Sequence, residues 1–112
     1  MKLYVDDVRT PEDNTWVIAR NYWDAIHILK NCEVAVLSLD HDLGDGPTGY
    51  DIIRWLDEGL HQDFPFFEIS PPKTILCHSA NPVGRERILA GVSAMQDYME
   101  SLIVGWGHPT KP

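Results

Sequence analysis

The stretch Val34–Asp42 reads VAVLSLDHD. From Val34 to Leu39 it is almost unbroken apolar sequence, and Asp40, His41 and Asp42 end it abruptly. An apolar run of strand length, without alternation, marks a strand covered on both faces, as in a parallel sheet with helices packed on it. The fold class that follows is α/β, with acids at the carboxyl end of a central strand. The N-terminus repeats the pattern, since the short run Lys2–Val5 is ended by Asp6 and Asp7.

Outward from this strand, Thr15–Ala19 (TWVIA) is β-branched and aromatic and predicts another strand. Asn21 is placed to cap a helix over Tyr22–Lys30, with Trp23, Ile26 and Leu29 at helical spacing. On the far side, the loop Gly44–Gly49 leads through a Thr48 cap into a helix over Tyr50–Leu60. Ile52, Ile53, Leu56 and Leu60 give that helix its apolar side, and Gly59 is a stop signal. His61–Pro72, rich in proline, reads as an irregular connector. Lys73–Cys77 (KTILC) predicts the next strand, ended by His78 and Ser79. Pro82 suits an early helix position, and Val83–Met99 reads as a long helix with Ile88, Leu89, Val92, Met95 and Met99 inward. Ser101–Val104 is either a last short strand or a helix end, and Gly105–Pro112 is tail. Trp23 and Trp55 read as helix-to-sheet packing.

The order β, β, α, β, α, β, α predicts a three-layer, mainly parallel sheet. Its weak point is Val8–Asn14, which is too short for a crossover helix of normal length. Either a truncated turn remains there or the second strand pairs differently. The 112 residues fit a single domain, 1–112, and suffice for a core without staples.

Hydrophobic residues make up 44% of the chain, which is globular composition. The formal net charge is −8, from 17 acids against 9 bases. Duplex DNA held on a broad basic face is excluded by that balance, because phosphate binding needs clustered Lys and Arg. A phosphorylated ligand held through a metal ion is compatible with it, and the acidic surface leaves room for a protein partner. Cys32 and Cys77 form neither a CxxC pair nor a disulfide framework and read as buried, reduced thiols. No apolar run reaches the roughly 18 residues that span a bilayer, and no signal peptide is visible, so a cytoplasmic location is expected.

Three groups of residues carry chemistry. Asp6, Asp7, Asp40 and Asp42 end two strands, where open α/β sheets bind their ligands. Acids gathered there repel one another unless a proton or cation intervenes, and oxygen-only ligation suits Mg²⁺ or Mn²⁺. Taken singly, such acids also serve as loop-solvating residues or helix caps. His41 lies between two of them as a candidate ligand or acid/base. Strict alternation points it away from Asp40 and Asp42, whereas a turn brings it back. The segment His78-Ser79-Ala80-Asn81-Pro82-Val83-Gly84-Arg85 follows a strand and opens a helix. His78 offers proton transfer, and Ser79, Asn81 and Arg85 are candidate phosphate-binding groups at a helix N-terminus. Asn81 equally suits a helix cap, and Arg85 an ion pair with Asp57 or Glu58. No phosphate-binding glycine loop or zinc cysteine pattern is present.

Asp6-Asp7 after the first strand, Asp40 after the third and Ser79 after the fourth resemble the receiver domain of response regulators, a flavodoxin-like fold. That resemblance implies that Asp6, Asp7 and Asp40 bind Mg²⁺, that Asp40 accepts a phosphoryl group and that Ser79 contacts it, with Gly49 after the loop. The chain departs from a receiver in two ways. No Lys lies between Lys73 and Lys111, and the first helix is shortened or lost. The segments YVDDVR, SLDHDLG, TGYD and HSANPVGRE resemble more specifically the cyclic-phosphate processing receiver domain, from Met1 to about Ile88. That family name implies metal-dependent phosphoesterase chemistry on cyclic nucleotide phosphates, with a phosphorylated small molecule or an RNA end as partner. Asp40, His78 and His41 would then be the catalytic candidates. The alternative is a receiver-type signalling or binding module, phosphorylated on Asp40 or without catalysis.

Overall fold

The computed structural model describes residues 1–62 and 71–105. Four strands, β1 (Lys2–Val5), β2 (Trp16–Ala19), β3 (Val36–Leu39) and β4 (Thr74–Cys77), form one sheet in the order β2-β1-β3-β4. Every pairing is parallel. Three helices accompany them, α1 (Tyr22–Asn31), α2 (Gly49–Leu60) and α3 (Pro82–Gly105). The expected receiver-like α/β arrangement is therefore present. Ser101–Val104 belongs to the end of α3 and not to a strand. Most of the connector expected over His61–Pro72, and nearly all of the tail, fall outside the described residues.

The register divides the sheet into two unlike faces. Leu3, Val5, Ala19, Leu37 and Leu39 share one face and are buried in a single core with Ala25, Leu29, Ile52, Ile53, Leu56, Ile88, Val92 and Met95 of the helices. Apolar burial of this kind stabilises by about 25 cal/mol per Å² and holds the three helices to that face. The opposite face presents Lys2, Tyr4, Trp16, Ile18, Val36 and Leu76, none of which joins that core. Among the described residues no helix covers it. The physical reason lies in the segment between β1 and β2, which is all turns and bends and has no room for the helix that would cross there.

Local sequence explains the elements. Asn21 Oδ1 accepts the Asp24 N–H at 2.8 Å and starts α1. Thr48 and Asp51 form a reciprocal capping box at the start of α2. Gly44 and Gly46 hold positive φ, 78° and 104°, in the loop before it. Gly49 must be glycine for a different reason, because a Cβ there would collide with the backbone carbonyl of Asp40. Two expectations fail within the helices. Leu89 is 41% exposed, because the inward line of α3 runs through Ile88, Val92 and Met95. Trp23 is 66% exposed and does not pack on the sheet, since Ala25 and Leu29 already form the buried line of α1. Trp55 does pack against the core. Both cysteines are free and half-buried. No helix among the described residues is long and apolar enough to cross a membrane.

Candidate metal and phosphate site

The chain passes from β1 to β2 on one side and returns to β3 on the other, so β1 and β3 flank the point where strand order reverses. Ligands of open α/β sheets bind beyond the carboxyl ends of the strands at such a point. Hydrogen bonds continue the ladder one residue past each strand. Asp6 N–H donates to Ala19 O at 3.1 Å, Asp40 N–H to Val5 O at 2.9 Å and His78 N–H to Leu39 O at 3.0 Å. Asp6, Asp40 and His78 are thus set by the sheet itself.

Asp6, Asp7 and Asp40 each offer a carboxylate oxygen, and these oxygens lie within 4.8 Å of one another. Asp6 is 0% exposed and Asp40 is 7% exposed. Oδ1 of Asp6 accepts the Val8 N–H at 2.9 Å and the Arg9 N–H at 2.7 Å, and its Oδ2 lies 3.4 Å from Nε of Arg9. Burial works to raise the Asp6 pKa, but the N–H donors of Arg9, Val8 and His78 outweigh it and hold the carboxyl below its ordinary range. Oδ1 of Asp40 accepts the His41 N–H at 2.8 Å. Three carboxylates in this space form an all-oxygen donor set suited to a hard divalent cation.

Asp42 stands apart. The chain bends after Asp40, and Asp42 turns toward the start of α3, where its Oδ1 lies 3.0 Å from His41 Nδ1 and its Oδ2 accepts from Asn81 Nδ2 at 3.3 Å. The same bend carries His41 away from the three acids and onto Gly84, where a Cβ would collide with its ring. His41 Nε2 is buried and has no partner among the described residues. Asn81 Oδ1 accepts the Gly84 N–H at 3.1 Å, so Asn81 caps α3 while tethering Asp42. Ser79 is buried, and its Oγ accepts the Asn81 N–H at 3.1 Å. Arg85 pairs with neither Asp57 nor Glu58 and instead donates to Cys77 O at 2.7 Å, which holds its guanidinium at the end of β4.

His78 reaches the acids from the helix-free face. Its Nε2 lies 3.0 Å from Asp6 Oδ2 and its Nδ1 lies 2.7 Å from Ser38 Oγ. Burial pushes the His78 pKa down, and Asp6 and Asp40 only partly oppose this. The neutral ring therefore carries its proton on Nε2, donating to Asp6, and accepts the Ser38 hydroxyl at Nδ1. Tyr4 stacks on the His78 ring at 4.2 Å with 5° between planes. Sequence reasoning missed Ser38, Tyr4, Arg9 and Arg20. Ser38 has a sequence signal, as the one hydroxyl in VAVLSL. On β3, between Tyr4 of β1 and His78 just past β4, a side chain this small lets the two rings meet. Arg20 reaches across from the end of β2, and its Nη1 donates to Asp6 O at 3.1 Å and Arg9 O at 2.6 Å.

Residues 1–94 match the family model of the cyclic-phosphate processing receiver domain. The chain belongs to this family. The match takes in β1 to β4 and most of α3, including Asp6, Asp7, Asp40, Ser79 and Arg85. Comparison with curated proteins and with solved structures returns no match.

Proposed function

We propose that this receiver domain is a metal-dependent phosphoesterase that processes cyclic nucleotide phosphates, RNA ends among them. The observation that carries the reading is the carboxylate cluster of Asp6, Asp7 and Asp40 at the strand-order reversal. Its donors are all oxygen, and they would hold Mg²⁺ or Mn²⁺. When bound, such an ion supplies positive charge that offsets the phosphate and polarises a phosphoryl oxygen. Ser79 lies beyond the end of β4, where its Oγ accepts from Asn81 and its hydroxyl proton offers a neutral donor to a phosphate oxygen. Arg85 and Arg9 are exposed cations at the same end of the sheet. His78 keeps a proton at Nε2 against Asp6, which orients that carboxylate and stores a proton next to the reacting group. His41, turned onto Gly84, positions the loop that follows Asp40 and is placed less well for proton transfer.

The test is a panel of cyclic nucleotides and an RNA oligonucleotide ending in a cyclic phosphate, incubated with the purified chain and Mg²⁺ or Mn²⁺. Ion-dependent ring opening that disappears in Asp40→Asn is the expected result. A chain that binds the ion and leaves the whole panel untouched overturns the reading. The receiver family itself favours one second reading, in which a small phosphoryl donor transfers its phosphoryl group to the Asp40 carboxylate. Intact mass after incubation with such a donor, in wild type and Asp40→Asn, separates the two.

A further inference from the structure

We propose that the cleft between α1 and α2 binds a small organic cation, an alkylated ammonium or guanidinium head group. The cleft has a volume of about 290 Å³ and is lined by Tyr22 and Trp23 of α1 and by Asp51, Arg54, Trp55 and Glu58 of α2. It shares no residue with the acid cluster.

Its walls are built for a cation. The Tyr22 and Trp23 rings lie 4.8 Å apart at 89°, so two aromatic walls meet at a right angle, and Trp55 adds a third ring from the facing helix. Trp23 is absent from the core, is largely exposed and is one of the residues that line the cleft. Ring faces carry the negative part of the aromatic quadrupole and attract ammonium and guanidinium groups. The charges agree with the rings. Arg54 lies 3.7 Å from Asp51, which offsets it, whereas Glu58 has no ion-pair partner among the described residues. Among the described residues, one carboxylate without an ion-pair partner therefore lines the cleft. The Tyr22 phenol registers it, since burial and then Asp51 and Glu58 push its pKa up against a smaller opposing pull from Arg54. The volume lies at the lower edge of the roughly 300–1,000 Å³ of pockets that take drug-sized molecules, so a head group fits within it and charge, not size, selects the ligand. A nucleobase would use the aromatic walls but has no use for the negative charge. The net charge of −8 also draws cations toward the molecule.

The probes are choline and dimethylbutanol, its uncharged isostere with carbon in place of nitrogen, followed through the indole N–H resonances. Choline is expected to shift the Trp23 and Trp55 signals saturably, with dimethylbutanol about tenfold weaker or more. Trp23→Ala should abolish the choline response, and the isosteric Glu58→Gln should weaken it severalfold without disturbing the core signals. A peptide carrying trimethyllysine and one carrying arginine distinguish a protein side chain from a free small cation, because tighter binding of either peptide than of choline points to a protein partner. Equal affinity for choline and dimethylbutanol, preferential binding of a free nucleobase, or no saturable response to choline or either peptide overturns the proposal.

Discussion

At the scale of single residues, the chemistry turns on how His78 is held. Both ring nitrogens are used in the neutral state, with Ser38 donating to Nδ1 and Nε2–H donating to Asp6. Charging the ring would break the Ser38 bond or reverse it. Burial lowers its pKa, Arg9 adds to that, and the Asp6 and Asp40 carboxylates pull the other way without restoring the ordinary value. In the unfolded chain the ring titrates near 6.5. Below that pH the unfolded state takes up a proton that the folded state refuses. The contribution of His78 is therefore fully present above about pH 6.5 and is lost as pH falls toward the lower folded value. Asp6, also lowered, adds a loss of the same sign at more acidic pH. In chelator, the urea midpoint of wild type should drop between about pH 7.5 and about pH 5.5, and His78→Gln should flatten that drop. Identical slopes in the two proteins would remove the account. His78 was legible as a site residue from its place after a strand, but its partners were not. Nothing in the spacing of Tyr4, Ser38 and His78 shows that three different strands bring them together.

At the scale of elements, the runs and caps were legible and the connections were not. VAVLSL, KLYV and KTILC are each followed by polar residues because the strands stop where the sheet does, and Asn21 and Thr48 cap where their side chains accept the third N–H. A turn after Asp40 was open in the sequence but its direction was not legible, and it takes Asp42 to His41 and Asn81, away from the acids it was grouped with. The segment from Asp6 to Thr15 is the other illegible part. It replaces a crossover helix and is held by Arg20, which donates to Asp6 O, Arg9 O and Thr10 Oγ1. These bonds fix the loop whose Val8 and Arg9 N–H groups orient the Asp6 carboxylate. Arg20→Met keeps most of the aliphatic stem and removes every side-chain donor. Because the bonds are largely exposed, the expected loss of stability is only about 1 kcal/mol. Divalent-ion affinity should fall severalfold, since Asp6 loses its fixed orientation. Calorimetric titration with Mn²⁺ reads the second effect. Unchanged affinity would show that the sheet alone orders the acid cluster.

At the scale of the whole molecule, the helices share one face of the sheet and three acids share one end of it. The core lies under one face of the sheet, and the site opens at one end of it, so three carboxylates gather where no described lysine answers them. A chain with a net charge of −8 carries self-repulsion when compact, and clustering acids concentrates it. Neutralising one acid of the cluster should then act oppositely on two measurements. In chelator at low salt, Asp7→Asn is expected to unfold at the same or a higher temperature than wild type, because a repulsive charge has gone. With a divalent ion, wild type should gain about 2.7 kcal/mol at an ion concentration one hundred times its dissociation constant, since the ion binds the folded chain. Asp7→Asn should gain much less at the same concentration. Sodium chloride at matched ionic strength screens exposed charges in both proteins alike and serves as the control. If salt reproduces the gain, or if the two proteins gain equally from the ion, the acids repel one another without forming a site. A gain confined to wild type and to the divalent ion ties the stability of the fold to the cluster at its carboxyl end.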